Sequence, residues 1–158
     1  HLDVEAMAAA FMGEADRSEP MAAKWGERMF LIEEISGVDE ILISTPMWNW
    51  SVPSVLKAYI DNLIIPGVFD EGTATLAGKK VTFVVAQGGS YRDGTPKAGW
   101  DYATGYLNQF ATAMGATDIE VITVEFGLAR VVPALEGFIS HKEASIAAAK
   151  EAAIARAA

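Results

Sequence analysis

The chain has 158 residues, 51% apolar and 21% charged, a balance that fits one globular domain with a sizeable core (residues 1–158) and excludes a disordered chain. Its net charge of −9 disfavours nucleic acid and anionic membrane surfaces, which are bound through clustered Lys and Arg. No apolar run approaches the ~20 residues of a membrane span, and zero cysteines exclude disulfides and thiolate metal sites, which is compatible with a cytoplasmic protein.

Residues 2–12 are expected as a short helix with Leu2, Ala6, Ala9 and Ala10 on one face. After a polar break, Ser18 and Pro20 mark the start of a longer helix reaching Ser36, whose core face is Met21, Trp25, Met29, Ile32 and Ile35. Gly37 falls just past its end. A strand follows over residues 40–45, and its apolar run Ile41, Leu42, Ile43 suits a parallel strand buried on both faces. Pro46 stops it, because proline cannot donate a ladder hydrogen bond. A loop bearing Met47, Trp48, Asn49 and Trp50 leads to Pro53, which introduces a helix over Ser54–Leu63. Beyond an irregular stretch, a second strand spans residues 81–86 and ends in Gln87, Gly88, Gly89 and Ser90. A helix is expected over residues 100–114, with Tyr102, Tyr106, Phe110 and Met114 on one side, then a third strand over 119–124 and a loop over 126–132. The last helix starts beyond Pro133 and runs to about residue 155.

Strands separated by helices imply an α/β class, a parallel sheet with right-handed crossovers. In such sheets ligands bind in the crevice outside the carboxyl ends of the strands. Residues 46–50 place two indoles, a thioether and an amide at such an end, although tryptophans after a strand also serve as the lid of a core. His1 and His141 are too few and too far apart for a metal site, His141 reads as an ordinary helix residue, and no catalytic nucleophile is apparent.

The order Pro46-Met47-Trp48-Asn49-Trp50, with Val52, Pro53, Leu56, Lys57 and Asp61 following, resembles a known signature. It is the Pro-Met-Tyr-Asn-Phe…(Ile/Val)-Pro…Leu-Lys…Asp pattern of FMN-dependent NADH-azoreductases, a quinone-reductase family with a flavodoxin-like fold. Trp48 and Trp50 replace the usual Tyr and Phe and keep an aromatic face. Gly78-Lys79-Lys80…Ala86-Gln87-Gly88-Gly89 resembles the family's Gly-Lys-Lys…Ser-Arg-Gly-Gly, and residues 115–121 resemble its entry to the last strand. The beginning, His1-Leu2-Asp3, resembles the segment just after the family's second strand.

The resemblance implies a flavodoxin-like parallel sheet with helices on both faces, of which these are the third to fifth strands. The first βαβ unit, with its FMN phosphate loop, is then expected upstream, on the order of 40–50 residues. It implies an FMN ring bordered by Pro46, Met47, Trp48, Asn49 and Trp50 on one side and by Ala86, Gln87, Gly88 and Gly89 along the pyrimidine. Backbone groups of Trp48 and Asn49 would meet the polar edge, Met47 and Trp50 the apolar faces, and the two glycines would let backbone approach a flat ligand. Ala86-Gln87 in place of Ser-Arg removes a hydroxyl and a cation, with consequences for flavin potential or donor preference. The activity implied is hydride transfer from NADH or NADPH through FMN to quinones or azo compounds by a ping-pong scheme, in a cytoplasmic homodimer. Two other classes stay open here: a flavodoxin-like electron carrier, which the acidic charge suits, and a cofactor-free domain.

Overall fold

Capping and proline chemistry set the helix boundaries of the computed structural model, which describes residues 2–158. The elements run α1 (Val4–Ala9), α2 (Glu19–Ser36), β1 (Glu40–Pro46), α3 (Ser54–Leu63), β2 (Lys80–Ala86), α4 (Tyr102–Ala113), β3 (Asp118–Val124) and α5 (Ile139–Ala157). Asp3 caps α1 by accepting the Ala6 N–H at 2.8 Å. That helix is shorter than expected: the Arg17 side chain takes the Ala9 carbonyl at 3.0 Å, and Glu14–Asp16 form a separate 3₁₀ turn. Ser18 stands at the N-cap of α2 with Pro20 in its first turn, and Gly37 is its C-cap.

The strands form one sheet in the order β1-β2-β3. Near the start of the β1–β2 ladder the Lys80 N–H donates to the Asp39 carbonyl at 3.0 Å; at its end the Met47 N–H donates to the Ala86 carbonyl at 2.7 Å. Both chains advance together between these bonds, so the pair is parallel. β2 is central and largely buried, with Val81, Phe83 and Val85 inside. β1 corrects an expectation. It is an edge strand, Ile41 and Thr45 are buried, but Leu42 is 71% exposed, so its apolar run does not reflect burial on both faces.

The chain divides into two compact units. The first comprises His1–Ile41, Ser54–Lys80 and Phe110–Asp118. Its core gathers Ile32 and Ile35 of α2, Ile60 and Leu63 of α3, and Ile65, Phe69 and Leu76 from the stretch after α3. On α2 only Ile32 and Ile35 of the expected face are fully buried, and Arg28 joins them. Its guanidinium donates to the carbonyls of Asn62 (2.8 Å) and Ile64 (2.8 Å) at the end of α3 and of Ala6 in α1 (2.9 Å). A cation at a helix C-terminus meets the negative end of the helix dipole, which is how an arginine lies in this core with no carboxylate paired to it among the described residues. Trp25 is covered by Arg17, whose guanidinium carbon lies 3.8 Å from the ring centroid. Gly115, at φ +90, cannot be another residue easily, since a Cβ there would stand 2.7 Å from the Ala74 Cα.

The second unit comprises Leu42–Pro53, Val81–Gln109 and Ile119–Ala158, and so holds the strand ends where a ligand is expected. α4 begins at Tyr102, two residues later than expected, because Asp101 supplies the cap. Its buried positions here are Ala103 and Leu107; Tyr102 is 64% exposed and lies off the face assigned to it. α5 begins at Ile139 instead of just past Pro133, since Gly127–Arg130 and Pro133–Phe138 are 3₁₀ turns. His141 lies in α5. Among the described residues no helix is long and apolar enough to cross a membrane.

Candidate functional site

The loop after β1 is a tight turn. Trp48 and Ser51 exchange backbone hydrogen bonds, the Trp48 N–H to the Ser51 carbonyl at 2.9 Å and the Ser51 N–H to the Trp48 carbonyl at 3.1 Å. Between them Asn49 (φ 49) and Trp50 (φ 67) are both left-handed, the signature of a type I′ turn. Asparagine tolerates that backbone, but a tryptophan does so at a cost of roughly 1–2 kcal/mol. Local contacts hold it: the Trp50 carbonyl accepts the Tyr102 N–H at 2.9 Å, and the indoles of Trp50 and Trp100 meet edge to face with centroids 5.5 Å apart. Trp48 is 61% exposed and Trp50 43%, so these rings are not the lid of a core.

The loop after β2 lies beside it, joined through the bond from Met47 to Ala86. Pro46 and Ala86 are exposed, whereas Gln87 is buried. The Gln87 amide Nε2 donates to Asp101 Oδ2 at 2.7 Å and its N–H donates to the Val124 carbonyl at 2.8 Å, so side chain and backbone are both held inside the protein. The Gln87 carbonyl accepts the Gly127 N–H at 2.8 Å and the Gly88 carbonyl accepts the Leu128 N–H at 3.2 Å, which fasten residues 87–88 to the loop after β3. A Cβ at Gly88 would lie 2.8 Å from Leu128 Cδ1, so the neighbour that needs this glycine is a protein side chain. At Gly89 a Cβ would meet nothing within 4 Å, so there is space on its side-chain side, while its carbonyl accepts the Phe126 N–H at 3.3 Å. Among the described residues, the N–H groups of Asn49, Gly88 and Gly89 have no protein acceptor.

The nine residues singled out from the sequence, Pro46 to Trp50 and Ala86 to Gly89, are therefore brought to the ends of two adjacent parallel strands. Other residues at this end carried no signal. Glu125, buried, accepts the Ser90 hydroxyl at 2.5 Å and pairs with Arg92 at 2.8 Å. Phe126 has φ 58 and stacks on Phe138, with centroids 5.2 Å apart and planes 7° from parallel. With Pro96, Leu128 and Leu135 these rings line a pocket of about 350 Å³ that reaches Gly88 and Gly89. Phe126 reads as loop and Phe138 as part of the last helix, so no single periodicity ties the two rings together. Among the described residues no three His, Cys, Asp or Glu side chains gather as metal ligands do.

The model of the flavodoxin-like fold family matches residues 1–157. An FMN-dependent NADH:quinone oxidoreductase of Frankia casuarinae is 46% identical over 162 residues, covering 99% of this chain and 76% of that protein. The chain belongs to this flavodoxin-like oxidoreductase family. The family read from the Pro46–Trp50 and Gly78–Gly89 blocks is the one found, and with it the α/β parallel-sheet class. As a member of it the chain is an oxidoreductase and not an electron carrier or a bare domain. Among solved structures, an azoreductase, AzrA, matches with a TM-score of 0.81 at 26% identity, covering 99% of this chain and 75% of that one. An azoreductase from Bacillus anthracis str. Sterne has a TM-score of 0.82 at 24% identity, over 99% and 74%, a likeness of fold.

Proposed function

We propose that the chain binds FMN across the ends of β1 and β2 and reduces quinones at the expense of NADH, with azo compounds as further acceptors. The relatives' names and the geometry support this together: two loops tied by the Met47–Ala86 bond offer open space on the Cα of Gly89, spare N–H donors at Asn49, Gly88 and Gly89, and exposed indoles beside them. FMN, when bound, supplies the two-electron chemistry between nicotinamide and acceptor. The protein's part is to bind and orient. Met47 and Trp50 give the ring apolar contact. The N–H groups of Asn49 and Gly88 are fixed in advance, and stabilise the negative charge that reduction places on a flavin's pyrimidine edge. Residues 1–158 act as one flavodoxin-like domain in a cytoplasmic homodimer, where NADH is available; NADPH is the alternative donor. Neither nucleic acid nor membrane is a partner. None of the described residues is assigned to the FMN phosphate.

Donor and acceptor are both flat and share one ring face, so the oxidised nicotinamide leaves before the acceptor enters, a ping-pong scheme. Quenching of FMN fluorescence on titration with the protein tests the site. Initial NADH oxidation rates at several fixed concentrations of a simple benzoquinone test the scheme. Parallel double-reciprocal lines are expected; intersecting lines reject the ping-pong order, and unquenched FMN rejects the site.

A further inference from the structure

Gln87 and Asp101 form a contact that flavin binding as described does not use. The Gln87 side chain is held where β2 ends, and the residue is only 3% exposed. The carboxylate of Asp101 collects four donors. Gln87 Nε2 reaches Oδ2 at 2.7 Å, the N–H groups of Ala103 and Thr104 reach Oδ1 at 2.9 Å each, and the Thr104 hydroxyl reaches Oδ2 at 2.9 Å. All four are neutral, and among the described residues no Lys or Arg is paired with Asp101. The hydrogen bonds and the positive end of the α4 dipole hold the carboxylate in place, but its unit charge is not cancelled. An arginine at position 87, which the resemblance leads one to expect, would have cancelled it; glutamine holds the same carboxylate and leaves the charge.

On the reading that FMN lies against residues 86–89, we propose that Asp101 is a positioning residue that also sets the redox bias of the site. It fastens Gln87, and with it the loop to Gly89, onto the start of α4. Its uncompensated charge disfavours the reduced cofactor, which carries the added negative charge, relative to the oxidised one. This makes the bound cofactor a stronger reductant and favours delivery to poor electron acceptors. A unit charge acting over about 10 Å at an effective dielectric of ~20 moves such an equilibrium by on the order of tenfold.

Asp101→Asn separates holding from charge: its oxygen keeps the bonds that cap α4, and its Nδ2 donates to Gln87 once that amide turns over to present Oε1. The native protein and this variant are titrated with FMN, melted thermally and equilibrated against redox dyes. The variant is expected to melt within about 2 °C of the native protein. Its oxidised FMN affinity stays within about twofold, whereas its preference for reduced over oxidised FMN rises about tenfold, equivalent to ~30 mV for a two-electron couple. Gln87→Arg, which supplies the missing cation beside Asp101, shifts the potential in the same direction and serves should Asp101→Asn fold poorly. An unchanged potential in a folded, FMN-loaded variant overturns the inference while leaving the binding site intact. Native protein that takes up no FMN overturns the site itself, and this inference with it.

Discussion

Gly88 and Gly89 are neighbours in the chain and differ in what their missing side chains serve. A Cβ on Gly88 meets the end of the Leu128 side chain at 2.8 Å, and Leu128 is 45% exposed, so Gly88→Val pushes a flexible side chain aside at a cost of about 1 kcal/mol. Gly89 has open space, so Gly89→Val should leave the thermal midpoint almost unchanged while its side chain occupies the surface a flat ring needs. We expect FMN affinity to fall about tenfold or more in both, that is by ~1.4 kcal/mol or more, with stability falling only in the first. Gly89→Val protein that binds FMN like the native chain would place the ring elsewhere. Tyr59 provides a pH signature. Burial, with a smaller contribution from the charge of Glu34, raises its phenol above the ordinary value of 10.0. The folded state thus prefers the neutral phenol; its contribution is intact below about pH 10 and is lost as pH rises through the elevated folded value. Urea melts from pH 8 to 11 should show native stability falling more steeply than that of Tyr59→Phe.

At the scale of elements, Arg28 joins three helices of the first unit through carbonyl groups alone. Arg28→Met leaves the Asn62 and Ile64 carbonyls without their donor at the end of α3, and a loss of about 3 kcal/mol is expected from bonds to a buried charged group. Arg28→Lys should recover little of it, because one ammonium cannot reproduce the planar fork that reaches Ala6 and the α3 terminus at once. Guanidinium melts decide, and a loss under about 1 kcal/mol would show the bonds to be incidental. Element limits set by punctuation were legible beforehand: Pro53 and the apolar run to Leu63 gave α3 its observed span, and Ser18 and Pro20 opened α2 within a residue. The start of α5 was not legible, because Pro133 opens a 3₁₀ turn and an α-helix equally well.

At the scale of the whole molecule, the exposed aromatics Trp100 and Tyr102 at the start of α4 are more than a solvent-facing helix end requires. We expect a homodimer that uses this surface. Light scattering at micromolar concentration should return twice the chain mass, and Trp100→Glu should shift it towards the monomer. A native monomer under those conditions refutes the assembly.

Contiguous blocks carried the family and the place of the candidate loops, because Pro46–Trp50 and Ala86–Gly89 each lie at the end of their own strand. The alternation of strands and helices was equally local, written in residues two to four apart. What those loops rest on was decided only by the tertiary structure. Gln87 meets Asp101 14 residues away, Ser90 meets Glu125 across 35, and Arg28 reaches the end of α3 across 34 and 36. Periodicity records which residues share a face of one element. It holds no record of which distant polar group a buried side chain will find, since that partner exists only once the elements have packed and water has been removed from between them.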